Sequence, residues 1–318
     1  MRIQRVVVIG GANLDLAGHA DEPARPGDSS PGRVHAAAGG VGRNIAENLA
    51  RLGRRVRLVS ALGDDADGRW LRRVTAAAGV DTGGCQVITD ARTARYLSLH
   101  AADGRLLQAV NDMAVLDALG PARLATESNR LRRAAAIVLD ANLRDTALAW
   151  LFEQRFEVPL HADAVSAAKC LRLKPGLAQL HTLKLNRLEA ETLSGLPART
   201  PHQAARVADW FHAQGVRRLA LSLGRDGLRL SDRDGPHCER PAWPVPLRNV
   251  TGAGDALMAG LVHAQLGGWP LPRAADFALG CAALTLTVDA SNHPAISERA
   301  VLALRRRCRV APSIDNPS

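Results

Sequence analysis

Short aliphatic runs alternate along the chain with longer amphipathic segments. The runs lie at 5–10, 56–62, 135–140, 158–163, 181–185 and 218–223. Helix-like periodicity occupies 43–53, 67–79, 144–156, 166–180, 187–195 and 201–215, and a helix-rich stretch follows from 255 onward. This alternation predicts an α/β fold of three layers, in which helices cover both faces of a mainly parallel central sheet. Ligands of such folds bind at the carboxyl ends of the strands.

Two segments break this alternation. Residues 12–38 are rich in proline and glycine, and residues 92–112 read as two strands joined around Asp103 and Gly104. Neither fits a helical crossover between parallel strands, so we expect both to form a small β-sheet that covers a site as a lid. The chain is then a single domain over 1–310 with a loose tail at 311–318.

The composition is typical of a globular protein without a membrane segment. Of 318 residues, 47% are hydrophobic and 23% are charged, which allows a large core. No apolar run approaches the roughly 20 residues of a membrane helix, and the N-terminal residues lack a signal-peptide cleavage site, so we expect a cytoplasmic protein. Five cysteines without disulfide or zinc spacing predict reduced, mostly buried thiols.

The formal net charge of +10 raises the possibility of nucleic-acid binding. Arginine supplies nearly all of this charge, and it is scattered along predicted helices apart from one short run at 305–307. The pattern favours attraction of small anionic molecules over a nucleic-acid surface. Nucleic-acid binding stays an alternative, and it predicts strong, salt-dependent affinity for oligonucleotides.

The tract NVTGAGDALMAG (249–260) places a lone carboxylate between small residues and an apolar helix. Gly252, Ala253 and Gly254 let backbone N–H groups approach a ligand closely, and a helix N-terminus presents unpaired donors. The tract therefore predicts an anion-binding cradle. A donor aimed at transition-state charge is worth about 2.7–4 kcal/mol, against about 0.3–1 kcal/mol for a resting anion, which favours catalysis.

Asp255, the carboxylate beside this cradle, is expected to stay ionised at neutral pH because the helix terminus stabilises its charge. It can then orient an acceptor hydroxyl and take its proton while the hydroxyl oxygen attacks a phosphoryl group. A simple helix cap would also account for an Asp at this position. The apolar residues that follow predict a central buried helix, which favours the catalytic interpretation.

The same tract resembles the C-terminal signature of the PfkB (ribokinase-like) carbohydrate and nucleoside kinases, and GGVGRNIAENLARLG (39–53) resembles their N-terminal signature. The likeness runs over residues 5 to 300. It implies a ribokinase-like fold with ATP as the phosphoryl donor. It also implies that Asp255 is the base and that Gly252, Ala253 and Gly254 form the anion hole.

Two further tracts point to the nucleotide. Asn186 and Glu189 open a predicted helix after a strand, where they can hold a water-clad Mg²⁺, the role of this motif in the family; a capping box is the alternative. The resemblance places SLGRDG (222–227), with Ser222, Gly224 and Gly227, against the phosphates and ribose. Asn249 replaces a carboxylate that helps bind a monovalent cation in many relatives, so K⁺ activation is doubtful.

On the acceptor side, Asn13 and Asp15 lie two apart at the end of the first strand, so both side chains point to one face and can bind adjacent hydroxyls. They are otherwise ordinary turn formers. Gly39 and Gly40 allow close approach to the ligand, and Asn44 faces the same cleft one turn into the next helix.

The tracts 39–53, 111–119, 163–170 and 181–195 resemble the pseudouridine kinases of the family. The resemblance implies a nucleoside acceptor that is phosphorylated on its ribose 5′-hydroxyl. Alternatives are a kinase for another nucleoside or a free sugar, or a non-catalytic nucleoside-binding protein. A homodimer through the lid is expected, because exposed strands often pair with a second subunit. Candidates for contact with the base are Ser98, Asn111, Asp163 and Lys169.

Overall fold

A nine-stranded sheet and a four-stranded sheet make up the strands of the computed structural model, whose described residues are 5–23 and 27–310. The predicted tail at 311–318 lies outside these residues. The strands are β1 Arg5–Ile9, β2 Asn13–Ala20, β3 Gly32–Gly39, β4 Arg55–Gly63, β5 Asp81–Ile88, β6 Arg95–His100, β7 Leu106–Asp112, β8 Ala136–Asp140, β9 Leu160–Asp163, β10 Thr182–Asn186, β11 Arg218–Ser222, β12 Leu228–Asp232 and β13 His237–Arg240. The α-helices are α1 Val41–Arg51, α2 Ala66–Ala77, α3 Pro121–Ala125, α4 Ser128–Arg132, α5 Asp145–Glu153, α6 Ala167–Cys170, α7 Arg187–Ser194, α8 Pro201–Ala213, α9 Ala253–Leu266, α10 Leu271–Leu286 and α11 Glu298–Val310. Short 3₁₀ helices span Ala114–Ala118, Leu171–Gln179 and Gly224–Asp226.

Parallel pairing builds most of the large sheet, whose order is β13-β12-β11-β10-β9-β8-β1-β4-β5. Every neighbouring pair from β5 to β11 is parallel, and β12 and β13 add an antiparallel hairpin at one edge. A parallel neighbour can be reached only through a long crossover, which is why helices separate these strands along the chain. The predicted α/β fold with a mainly parallel sheet is confirmed.

Alternate residues of each central strand pack into opposite layers. In β1, Val7 and Ile9 join the cluster that α5, α7 and α8 cover, whereas Val6 and Val8 join the cluster that α1 and α9 cover. A strand that is buried on both faces needs apolar residues at every position, which explains the continuous run in the sequence. The three-layer arrangement follows, and it leaves the carboxyl ends of the strands free for a site.

Several elements of the structure differ from the sequence prediction. The strand β5 was not predicted, because Gly83 and Gly84 weaken its strand signal, yet it pairs with β4. The hairpin of β12 and β13 was also not predicted. The helix predicted over 166–180 is wrong: α6 ends at Cys170 and continues as a 3₁₀ helix that contains Pro175, which cannot donate a helical hydrogen bond.

The small sheet is built from the two segments that were predicted to form it, in the order β3-β2-β6-β7. Its strand alternation separates two faces. The inner face is defined by the cross-strand row Ala37, Asp15, Tyr96 and Asn111, with Asn13 and His35 on the same side. The outer face carries the exposed apolar residues Val34, Leu97, Leu99 and Val110.

Two further expectations concern the membrane and the thiols. Within the part of the chain that the structure describes, no helix is both long and apolar enough to cross a membrane. All five cysteines are free thiols, and four of them are buried, with Cys308 half-buried. The prediction that the thiols are mostly buried is confirmed.

Candidate active site

The N-terminus of α9 is open. Its N-cap residue is Gly252, with φ 82°, and no side chain among the described residues caps the helix. A methyl group at Gly252 would lie 1.8 Å from the carbonyl oxygen of Ser291, so both the backbone conformation and the packing require glycine. The first backbone N–H groups of the helix, including those of Ala253 and Gly254, therefore have no side-chain acceptor and can bind an anion.

Asp255 lies in the first turn of α9 and is only 7% exposed. Burial, and then the neighbouring carboxylate of Asp163, raise the pKa of Asp255 to about 7, although Lys184 opposes the shift. The expectation of a fully ionised carboxylate at neutral pH is therefore wrong in the ligand-free protein, because burial outweighs the helix terminus. A group that titrates near neutral pH is well matched to accept and release a proton.

Asn44 holds the Asp255 carboxylate from the opposite side of the cleft. Its Nδ2 donates to Asp255 Oδ2 at 2.8 Å, across 211 residues of sequence. The buried guanidinium of Arg43 donates to Asn44 Oδ1, which fixes the amide orientation that presents Nδ2 to the carboxylate. Arg43 is itself held by the carbonyl of Gly39 and the carboxylate of Glu47. The hydrogen bond between Asn44 and Asp255 thus joins the two tracts that resemble the family signatures, 39–53 and 249–260.

Lys184 was not identified from the sequence as a site residue. It points from β10 toward the cradle, so that a methyl group at Gly254 would lie 2.7 Å from its Nζ. Nζ also lies 3.1 Å from Asp163 Oδ2, and both residues are buried. Burial lowers the pKa of Lys184, but the ion pair with Asp163 and the charges of Glu189 and Asp255 outweigh this effect. The pKa is raised overall, so the positive charge of Lys184 is retained. A lysine inside the apolar run HTLKL was the available signal.

Asp163, which is predicted to contact the substrate, is held by protein partners. Its Oδ2 pairs with Lys184 and its Oδ1 accepts from the backbone N–H of Val165 at 2.9 Å. The residue is 1% exposed. In this structure it acts on Asp255 through its charge.

Asp140, at the end of β8, is a second buried carboxylate that the sequence reading did not include. Its Oδ2 accepts from the backbone N–H groups of Gly11 at 2.9 Å and Gly42 at 2.7 Å, and its Oδ1 accepts from that of Asn142. These bonds join the ends of β1 and β8 to the start of α1. Burial raises the pKa of Asp140 despite these donors. An Asp directly after the apolar run AAIVL was the signal in the sequence.

Asn186 and Glu189 form a reciprocal capping box at the start of α7. Asn186 Oδ1 accepts from the N–H of Glu189 at 2.9 Å, and the Glu189 carboxylate accepts from the backbone N and the Nδ2 of Asn186, both at 2.7 Å. Burial raises the pKa of Glu189, and Lys184 opposes this. Among the described residues no three His, Cys, Asp or Glu side chains cluster as a metal site.

The predicted nucleotide-binding loop lies at the end of β11. Ser222 Oγ donates to the carbonyl of Leu185. Gly224 has φ 64° and open space around it, which leaves room for a ligand. Gly227 has φ 99°, and a methyl group there would lie 1.9 Å from the carbonyl oxygen of Arg240, so the backbone conformation and the packing require glycine at this position. Asn249 donates to the carbonyl of Asp289 and accepts from the N–H of Thr251, which closes the loop before α9.

The predicted sugar-binding residues lie together on the inner face of the small sheet. Asn13 Nδ2 donates to Asp15 Oδ1 at 2.6 Å. Gly39 is directly opposite Asn13, and a methyl group there would lie 2.1 Å from Asp15 Oδ2. Gly40 has φ 98° and packs against the backbone of Gly11 and Ala12. The glycines are needed so that the sheet and α1 approach each other closely.

The remaining candidates are more dispersed. Ser98 is buried on β6 and its Oγ lies 3.1 Å from His100 Nε2. Asn111 is exposed on β7. Lys169 donates to Asn142 Oδ1 at 2.6 Å, beside the strand end that carries Asp140. The structure brings Lys169 to the cleft but leaves Ser98 and Asn111 on the small sheet.

The chain is similar to known proteins over nearly its whole length. A family model for pfkB family carbohydrate kinases matches residues 3–298. Pseudouridine kinase of Escherichia coli (strain K12) is 43% identical over 303 residues, which cover 94% of this chain and 96% of the relative. A carbohydrate kinase structure from Agrobacterium tumefaciens has a TM-score of 0.81 at 28% identity, covering 97% of this chain and 98% of that one. The structure of Arabidopsis thaliana ribokinase has a TM-score of 0.83 at 22% identity, covering 96% and 99%, and shows the shared fold.

Proposed function

Because the chain belongs to the PfkB family of carbohydrate kinases and is therefore a phosphotransferase, we propose that it transfers the γ-phosphoryl group of ATP to the 5′-hydroxyl of pseudouridine. The 43% identity to a pseudouridine kinase, over nearly the full length of both chains, supports this acceptor. A kinase for another nucleoside or a free sugar is the alternative within the class.

The observation that carries the proposal is the position of Asp255. Its carboxylate is held by Asn44 at the mouth of a helix whose first N–H groups no side chain occupies. A binding protein has no need of a proton acceptor beside an anion cradle. A phosphotransferase needs both, because the acceptor oxygen must lose a proton as the phosphoryl group gains contacts.

Different groups of this chain carry out the proton transfer, the stabilisation of the phosphoryl group and the binding of the ribose. The ionised Asp255 accepts the proton of the 5′-hydroxyl, and the carbon-bound oxygen becomes the nucleophile. The backbone N–H groups of Gly252, Ala253 and Gly254 donate to the oxygens of the phosphoryl group in the transition state of its transfer. Lys184, beside Gly254, adds a fixed positive charge on the same side of the cradle. Asn13 and Asp15 bind the ribose hydroxyls.

The nucleotide and its metal fit the residues at the ends of β10 and β11. Mg²⁺ prefers oxygen ligands and keeps several waters, so one buried carboxylate, that of Glu189, with the Asn186 amide beside it, suits a water-clad ion. When bound, ATP supplies the phosphoryl group. The open space at Gly224 suits the phosphates, and Ser222 suits the ribose.

The outer face of the small sheet supports assembly into a homodimer. Val34 is 75% exposed and Val110 is 56% exposed, and Leu97 and Leu99 lie between them across the sheet. An apolar face of this kind is covered in most stable proteins. Replacing Leu99 by Glu should give a monomer in sedimentation experiments. If that variant is still a dimer, the outer face is not the interface.

The proposed reaction is tested by incubating the protein with Mg-ATP and each of pseudouridine, uridine, adenosine, ribose and fructose. We expect product from pseudouridine with the highest kcat/KM. A higher kcat/KM for any other acceptor would replace pseudouridine with that compound. Binding of pseudouridine without any transfer would favour the non-catalytic alternative.

Asp255→Asn tests the mechanism. Loss of the base should lower kcat by about 10²- to 10⁴-fold, with the dissociation constant for pseudouridine changed only a few-fold. Asp209→Asn, which removes an exposed carboxylate of α8, is the matched control and should keep full activity. Parallel loss of binding and turnover in Asp255→Asn would show that the residue is a structural cap.

A further inference from the structure

Tyr96 differs from every other aromatic residue of the chain in its surroundings. The chain has five tryptophans, four phenylalanines and this one tyrosine. All the tryptophans and phenylalanines belong to, or pack against, the hydrophobic clusters of the large sheet and its helices. Tyr96 belongs to none of these clusters and is half-buried on β6 of the small sheet. Its ring is therefore not explained by core packing.

The strand register places Tyr96 beside the predicted sugar-binding residues. It lies directly opposite Asp15 on β2 and directly opposite Asn111 on β7. Directly opposite residues of neighbouring strands point to the same face, so all three side chains lie in one row of the inner face. A ligand held by Asp15 would therefore meet Tyr96 next and Asn111 beyond it.

Two observations show that the inner face looks toward the cleft. The Asp15 carboxylate lies over Gly39, the residue before the N-cap of α1. The carbonyl of Gly39 also accepts from the Arg43 guanidinium at 2.9 Å, and Arg43 donates in turn to Asn44, which holds Asp255. This end of the small sheet therefore lies beside the residues that hold Asp255.

The geometry of a nucleoside fixes where its base would lie. Its 5′-oxygen must reach Asp255, and its ring hydroxyls must reach Asn13 and Asp15. The base leaves the ribose at C1′, on the far side of the ring oxygen from the 5′-carbon. It therefore extends away from Asp255 and over the inner face of the small sheet.

We propose that Tyr96 is the platform on which the nucleobase of the acceptor stacks, and that it makes this chain prefer a nucleoside to a free pentose. The inference rests on the proposed function and names the residue that selects the substrate class. Aromatic stacking accepts any base, because every base has a π-face. Discrimination between bases then falls to hydrogen-bonding groups at the edge of the ring, of which the Asn111 amide is in the same row.

The inference is tested with Tyr96→Ala and Tyr96→Phe in the full chain, with pseudouridine and ribose as acceptors. Tyr96→Ala should raise the KM for pseudouridine about tenfold or more, because it removes the stacking surface. The KM for ribose and the kcat with saturating acceptor should stay within about twofold of the unchanged protein. Tyr96→Phe keeps the ring and should restore the KM for pseudouridine to within a few-fold.

Gln108→Ala is the control, because Gln108 is exposed on the neighbouring strand and points to the outer face. It should leave both KM values unchanged. Equal rises in both KM values in Tyr96→Ala, or no rise in either, would overturn the inference.

Calorimetric titration of pseudouridine and of ribose without ATP separates this inference from the proposed reaction. Weaker binding of pseudouridine alone in Tyr96→Ala supports the stacking platform, even if no acceptor is phosphorylated and the proposed reaction fails. Equal affinity of both proteins for pseudouridine would overturn the platform, even if the reaction is confirmed.

Discussion

The helices α7 and α9 both begin at the carboxyl edge of the large sheet, but their N-termini are built in opposite ways. Asn186 and Glu189 satisfy each other at the start of α7 through a reciprocal capping box. At the start of α9, Gly252 offers no side chain, and within the part of the chain that the structure describes the first N–H groups have no side-chain acceptor. A closed terminus stabilises the fold, whereas an open one keeps its donors for a ligand. The start of α7 therefore mainly stabilises its helix, whereas the start of α9 keeps backbone donors that can bind a ligand.

Lys184 lies between the two termini, and its replacement should have the largest effect on stability. In Lys184→Met, the buried carboxylate of Asp163 loses its ion partner, and the neighbouring Asp255 loses a favourable charge. Removing one partner of a buried pair costs about 3–5 kcal/mol. Denaturant unfolding measures this cost. Double replacement with Asp163→Asn should recover much of it, and no recovery would show that the two charges are not coupled.

Gly252→Ala should destabilise the start of α9. The left-handed conformation costs a non-glycine residue about 1–2 kcal/mol, and the contact with the Ser291 carbonyl adds to this, so we expect a loss above 2 kcal/mol. Gly224→Ala is the matched control, because it also has positive φ but open space, and it should lose only about 1 kcal/mol. Equal losses in thermal unfolding would mean that the Ser291 contact relaxes freely.

Asp255→Asn should stabilise the fold at alkaline pH. The pKa of this carboxyl is raised in the folded state to about 7, from 3.8, so its ionisation opposes folding as pH rises from about 4 through 7. The variant should therefore be more stable than the unchanged protein at pH 8, and this gain in the free energy of unfolding should vanish near pH 4. The free energy of unfolding as a function of pH measures it. If the difference in unfolding free energy between the two proteins does not change with pH, the folded state does not raise the pKa of Asp255.

The same pKa predicts the pH dependence of turnover. The base must be ionised to accept a proton, so kcat/KM should rise as pH increases through about 7. A profile that is flat from pH 6 to pH 8 would contradict a base with this pKa.

Asn186→Ala should have the smallest effect on stability, because an N-cap contributes about 1 kcal/mol. Thr200→Ala is a matched control, since Thr200 and Gln203 form the same capping box at the start of α8. Both variants should lose similar free energy of unfolding. Only Asn186→Ala should raise the Mg²⁺ concentration needed for half-maximal activity. An equal Mg²⁺ requirement in both would limit Asn186 to capping.

Local patterns predicted most of the large sheet and the order of its helices. The central strands are apolar at consecutive positions because both faces are covered, and this signal is visible without any partner. The strand β5 was missed because its glycines have low strand propensity and only pairing with β4 stabilises it. The cradle and the capping box were predicted because each is formed by neighbouring residues. Lys184 and Asp140 were missed because their partners are distant in sequence.

The sequence by itself determined which short segments can bind an anion, cap a helix or form a buried strand, since these properties depend on residues within one or two turns. Only the tertiary structure decided the charge state of Asp255. Asn44 reaches it across 211 residues, and Asp163, Lys184 and Asp140 act on it from other strands. Burial and Coulomb energies depend on distances in space, and spacing along the chain does not contain them.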